Sequence, residues 1–212
     1  CLGPTNVAQA HTINFQGGCV LTQTPINVDG CIITAALDSL TVTIADSTDA
    51  DFKFVVDGTA GNDLLIKGTA GANNDIVFNG GAGADTIRIT GAALGSTVTV
   101  DGGAGDDSIE QNGGTLIDDS FVSVTSVETL RAAAASTVIT ATLGANADAA
   151  GIVNIVGGTG ADNVVIDAAF NNALAIDLNN AGNDTINGAA SGSVLTITAA
   201  ASAITALDLL PG

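Results

Sequence analysis

Short alternations of apolar and polar residues recur along the chain, separated by stretches rich in Gly, Asn, Asp and Thr. In Thr86-Ile87-Arg88-Ile89 the two isoleucines share one face, and Thr86 and Arg88 share the other. A second turn, Thr90 to Ser96, leads to Thr97-Val98-Thr99-Val100, with Val98 and Val100 on one face, and Asp101 returns the chain to a Gly-Gly pair. A two-residue period is that of a strand buried on one side. Leu40-Thr41-Val42-Thr43-Ile44 and Phe52-Lys53-Phe54-Val55-Val56 read the same way, preceded by Cys19-Val20-Leu21 and Cys31-Ile32-Ile33. Two such strands bury nothing alone. Stacked on like neighbours about 4.8 Å away, they share a continuous core.

The turns carry a repeat. Gly80-Gly81-Ala82-Gly83-Ala84-Asp85-Thr86-Ile87-Arg88 returns as Gly102-Gly103-Ala104-Gly105-Asp106-Asp107-Ser108-Ile109-Glu110, and again as Gly157-Gly158-Thr159-Gly160-Ala161-Asp162-Asn163-Val164-Val165. All three fit the nonapeptide G-G-x-G-x-D-x-U-x of calcium-binding parallel β-rolls. Gly58-Thr59-Ala60-Gly61-Asn62-Asp63-Leu64-Leu65-Ile66 lacks only the second Gly. Asn179-Asn180-Ala181-Gly182-Asn183-Asp184-Thr185-Ile186 has Asn at both leading positions, and Asn tolerates positive φ better than most residues. The repeats start at 58, 80, 102, 157 and 179, giving spacings of 22, 22, 55 and 22, and 55 is two and a half times 22. The expected fold is therefore all-β: a parallel β-solenoid (β-roll or β-helix) of about 22 residues per coil, in one domain over residues 1–212.

Within it, residues 58–110 and 157–187 form the repeat coils, and 1–12 read as a polar leader or cap. Residues 113–156 are irregular: they keep strands at Phe121-Val122-Ser123-Val124, Val138-Ile139 and 152–156 but lose the turn Asp. Ala132 to Ala135 has the composition of a helical turn, too short to stand alone.

Composition narrows the partners. Four Lys plus Arg face 22 Asp plus Glu, a net charge of −18, which repels nucleic acid and anionic membranes and favours cations. A hydrophobic content of 46% rules out reading the acidity as disorder. No run of 18 apolar residues is present to cross a membrane as a helix. A start at Cys1 rather than Met reads as processing or as a fragment, and removal of a signal peptide would fit export.

On these nonapeptides the sequence resembles the RTX (repeats-in-toxin) family of secreted calcium-binding proteins, over about a quarter of the chain. Calcium takes six to eight oxygens in a flexible arrangement. Glycines can aim backbone carbonyls inward, the sixth-position Asp adds a carboxylate, and the apolar eighth residue anchors the turn. In the family each ion lies between like turns of neighbouring coils. The resemblance thus implies two ions among Gly58, Gly61, Asp63, Gly80, Gly81, Gly83, Asp85, Gly102, Gly103, Gly105 and Asp107. It implies another among Gly157, Gly158, Gly160, Asp162, Gly182 and Asp184. Gly68 to Val77 places Asp75 half a coil away, on the opposite edge, where the partner turn Gly91 to Ser96 has no Asp. Ser126-Val127-Glu128-Thr129-Leu130 resembles a rung of bacterial surface-layer and large RTX surface proteins.

The remaining chemistry is sparse. Cys19 and Cys31 are the expected disulfide pair in an exported chain. Cys1 has three open readings: lipid attachment, as in mature bacterial lipoproteins that begin with Cys; a disulfide, within the chain or to a neighbouring subunit; or an accident of cleavage. His11, the sole His, reads as a surface residue, and no G-x-S-x-G is present. Asp106-Asp107 and Asp118-Asp119 imitate a glycosidase pair, but the first lies in a repeat turn and the chain lacks aromatic platforms. Arg88 and Arg131 read as facing solvent or pairing with acids, and the Asn183-Asp184-Thr185 sequon overlaps a repeat turn. The expectation is no enzyme but an exported calcium-binding structural protein of the bacterial cell surface or extracellular matrix. Ile204, Leu207, Leu209 and Leu210 supply no charged cap, so subunits are expected to stack end to end into a filament or surface lattice. The alternatives are an adhesin and the RTX portion of a larger secreted enzyme or toxin.

Overall fold

The computed structural model describes residues 11–15, 19–23, 31–35, 40–44, 53–67, 75–89, 94–134, 137–178, 182–188, 194–199 and 204–208. The first half is a run of ten strands: β1 (His11–Phe15), β2 (Cys19–Gln23), β3 (Cys31–Ala35), β4 (Leu40–Ile44), β5 (Lys53–Asp57), β6 (Leu64–Lys67), β7 (Asp75–Asn79), β8 (Thr86–Ile89), β9 (Val98–Asp101) and β10 (Ser108–Gln111). A 3-10 turn (Asp118–Phe121) then precedes β11 (Val124–Thr125), β12 (Thr129–Ala132) and β13 (Thr140–Leu143). Helix α1 (Ala145–Ala150) follows, and then β14 (Asn154–Val156), β15 (Asn163–Ile166), β16 (Leu174–Leu178), β17 (Asp184–Gly188), β18 (Leu195–Ala199) and β19 (Ile204–Asp208).

The strands build three sheets, parallel throughout. The even-numbered strands form one long 9-stranded sheet from β2 to β18. An N-terminal 6-stranded sheet takes β1 to β11 by odd numbers, and a C-terminal 4-stranded sheet takes β13, β15, β17 and β19. The chain is a parallel β-solenoid of roughly 22 residues per coil. The two-residue period explains the register. Leu65, Ile87, Ile109, Leu130, Ile155 and Ile176 pair one above another along the long sheet, each at most 1% exposed. Val56, Phe78, Val100 and Val124 form the facing row in the N-terminal sheet. Ala141, Val164 and Ile186 do so in the C-terminal sheet.

Where the two shorter sheets change over, the regular coil breaks. The expected strand at 121–124 is instead a 3-10 turn and a two-residue strand. The cause is local polar bonding: Ile117 N–H donates to Ser120 Oγ at 3.1 Å, and the Asp118 carboxylate is drawn to the start of α1. That carboxylate accepts the N–H groups of Gly144, Asn146 and Ala147 at 2.8, 3.1 and 3.0 Å, orphan donors at a helix start. Leu116, fully buried, bridges Ala141 and so begins the C-terminal sheet. The turn after β15 docks beyond α1, with Asn171 and Asn172 N–H donating to Asp148 Oδ1 at 2.9 and 2.6 Å and Phe170 buried. Ala132 closes β12, and bends rather than a helical turn follow it at 133–134.

The changeover accounts for the odd spacing of 55. Asp63, Asp85 and Asp107 precede strands of the long sheet, whereas Asp162 precedes β15 and Asp184 opens β17 in the C-terminal sheet. Because long-sheet strands are parallel, turns entering them and turns leaving them lie on opposite edges. The two Asp groups therefore form two columns, one on each edge of the long sheet.

Candidate metal centre

In the first column, turns 80–85 and 102–107 lie in register, with Ala82 bridging Ala104. Ala104 N–H donates to the Gly81 carbonyl and Gly83 N–H to the Ala104 carbonyl, both at 2.9 Å. Gly81, Gly83, Gly103 and Gly105 all have left-handed φ, between 97° and 145°, which an L side chain rarely adopts. A Cβ on Gly80 would be driven into the Gly102 carbonyl oxygen and Asp85 Oδ2. The first Gly of each turn is thus the floor on which the carboxylate of its own turn and a carbonyl of the next turn meet.

The carboxylates form a coil-to-coil ladder. Asp63 N–H donates to Asp85 Oδ1 at 2.8 Å, and Asp85 N–H to Asp107 Oδ1 at 2.7 Å. Asp85 and Asp107 are fully buried, and Oδ2 of each has no hydrogen-bond partner. Burial is the main cause that pushes the Asp85 carboxyl up from 3.8 to about 6, with the Asp63 and Asp107 charges adding to it and the Asp63 amide opposing it. Burial likewise raises Asp107, against the lowering effect of the Asp85 amide and helped by the charges of Glu128, Asp106 and Asp101.

The Asp63 carboxylate is held by its own turn. Thr59 occupies the place of the second Gly, and its N–H and Oγ1 donate to Asp63 Oδ2 and Oδ1 at 2.6 and 3.0 Å. Gly61 stacks beneath Gly83. Asp75 opens β7 in register with Lys53, and the turn before it lies outside the described residues.

The second column repeats the ladder with a different turn. Ile139 N–H donates to Asp162 Oδ1 at 2.6 Å, and Asp162 N–H to Asp184 Oδ1 at 3.0 Å. Gly158 N–H closes on Asp162 Oδ2 at 3.1 Å. Neither Gly158 nor Gly160 is left-handed, although the nonapeptide is complete. Burial pushes Asp162 up to about 6, opposed by the Ile139 amide and reinforced by Asp184. A Cβ on Gly182 would meet Asp184 Oδ1 at 2.6 Å, and Asn179 and Asn180 lie outside the described residues.

The donor set here is oxygen alone, buried carboxylates beside backbone carbonyls. That suits a hard divalent cation better than structural zinc, whose sites are built mainly from Cys and His. Among the described residues no three His, Cys, Asp or Glu side chains gather at one point, so carbonyls must supply most ligands. The residues present fit calcium, and the buried, unpartnered Oδ2 atoms of Asp85 and Asp107 are what it would neutralise.

Elsewhere, both arginines pair with one acid on the outer face of the long sheet. Arg88 Nε lies 2.7 Å from Glu110 Oε2, and Arg131 Nη2 2.8 Å from Oε1. They border a cavity of about 590 Å³ that reaches Asp63, Asp85 and Asp106. Cys19 and Cys31 open β2 and β3, which belong to different sheets, and the side chains of the expected disulfide lie outside the described residues. Cys1 lies outside the described residues. No helix among the described residues is long and apolar enough to cross a membrane. Sequence reasoning missed Glu128, whose Oε2 accepts the Asp107 N–H at 2.8 Å; its signal was an acid 21 residues after Asp107. No family model, curated protein or solved structure matches the chain.

Proposed function

We propose that this solenoid is an exported calcium-binding structural protein of the bacterial cell surface or extracellular matrix, of the RTX type, in which calcium fastens coil to coil. One observation carries the reading. Two like Gly/Asp turns stack in register and bury Asp85 and Asp107, each with an oxygen that no protein donor reaches. Calcium binding is coupled to order in such a site, because the ligands come from neighbouring rungs and converge only in the folded coil. Assembly end to end into a filament or lattice belongs to the same reading. The function is scaffolding, with no catalytic role assigned.

Circular dichroism and melting in EDTA, then with added calcium, test the metal. The expected result is a gain in strand signal and in melting temperature on adding calcium; an unchanged spectrum and melt would refute it. Light scattering at high protein concentration with calcium tests assembly, and a stable monomer would count against it. An adhesin is the second reading. It is favoured by the polar cavity at Arg88, Glu110 and Arg131, and retention on glycan arrays would support it.

A further inference from the structure

The carboxylate column does not stop at the last Gly/Asp turn. Thr125 pairs with Asp101 and Thr129 with Ser108, so residues 126–128 take the place that 102–107 takes one coil earlier. Three residues do the work of six. Glu128 stands where an Asp would stand, and its longer side chain reaches the same donor: Asp107 N–H meets Glu128 Oε2 at 2.8 Å, as Asp85 N–H meets Asp107 Oδ1 at 2.7 Å.

The backbone oxygens are reproduced too. A Cβ on Gly102 would strike the Ser126 carbonyl oxygen and come within 2.6 Å of Asp107 Oδ2, as a Cβ on Gly80 would strike the Gly102 carbonyl and Asp85 Oδ2. To place that carbonyl, Ser126 adopts φ 54°, the one left-handed non-Gly residue among those described. Such a conformation costs of order 1 kcal/mol and persists only where its surroundings hold it. Asp107 itself is fully buried with Oδ2 unpartnered, and Glu128 adds a second negative charge beside it. Both arginines are committed to Glu110.

We infer that Asp107, Glu128 and the Ser126 carbonyl form a terminal calcium site, one rung beyond the Gly/Asp repeats. The inference rests on the calcium reading above, since it extends the same column. Glu128 then closes the column with a charge that needs a cation, where a neutral acceptor would have served to cap the amide alone.

The test is calcium stoichiometry by equilibrium dialysis on the full chain and on Glu128→Gln, which keeps an oxygen to accept the Asp107 N–H and so spares the ladder. The expected result is one calcium fewer per chain for Glu128→Gln, with its strand spectrum in calcium unchanged. Glu128→Asp, too short to span the turn, is expected to weaken one site and leave the others. Equal stoichiometry and affinity in all three proteins would overturn the inference while leaving the calcium reading intact. A wild-type chain that binds no calcium would overturn both.

Discussion

The buried carboxylates make the metal-free protein's stability depend on pH in an unusual direction. Asp85 and Asp162 are each raised from 3.8 to about 6, chiefly by burial. The folded chain therefore binds protons that the unfolded chain has released. That contribution is fully present below pH 3.8 and is lost as pH rises through about 6. A shift of this size corresponds to about 3 kcal/mol per carboxyl before solvent screening, and to roughly half that after it. For a domain of this size the two together are equivalent to a fall in melting temperature of about 10 °C. In EDTA the melt should thus drop as the buffer is taken from mildly acidic to neutral. On the proposed calcium reading the sign should reverse, because protons would compete with the ion for Oδ2 of Asp85, and the loaded protein should lose stability as pH falls. The variant Asp85→Asn isolates the effect: it keeps an acceptor for the Asp63 amide and removes the titrating charge. In EDTA at neutral pH it should melt about 5 °C above wild type, and with calcium it should gain less than wild type does. Scanning calorimetry across this pH range, with and without calcium, measures all four cases. A metal-free wild type whose melt rises with pH, or an Asp85→Asn melt equal to wild type, would refute the reasoning.

Two further substitutions probe the frame around the columns. Gly80→Ala drives a methyl into the Gly102 carbonyl and Asp85 Oδ2 and should cost about 3 kcal/mol, whereas Gly95→Ala meets nothing within 4 Å and should stay within about 0.5 kcal/mol; urea unfolding separates them. Phe170→Ala empties a fully buried site beyond α1 and should cost about 3–5 kcal/mol by the same assay, with the calcium response of the first column retained.

Most strand positions were legible because a two-residue period leaves one solution for a half-buried strand, and β4 and β8 begin and end where the alternation does, whereas the strand expected at Val138-Ile139 forms just after that pair, at Thr140–Leu143. The carboxylate columns were legible for a similar reason: a fixed offset of 22 residues in a solenoid is a vertical stack. What the spacing did not record was local. Thr59 turns its own hydroxyl and amide on Asp63, so a turn one Gly short of the motif closes on itself. Gly157 to Asp162 matches the motif in full yet forms a different turn. The rung before it presents Ile139 N–H rather than a like Gly turn, and a left-handed pair is held by its neighbour.

The sequence by itself determined that the chain coils, how long each coil is, which face of each strand is buried, and which aspartates share a column. Periodicity dictates these, since each is a repeat of one short-range rule. Only the tertiary structure decided that the two columns run along opposite edges of the long sheet, and that the changeover is built from Leu116, Asp118 and α1. It also decided that Glu128 stands as the last acid of the first column. These depend on contacts between coils of unequal length, where a three-residue turn stacks on a six-residue one, and no spacing along the chain records which atoms then meet.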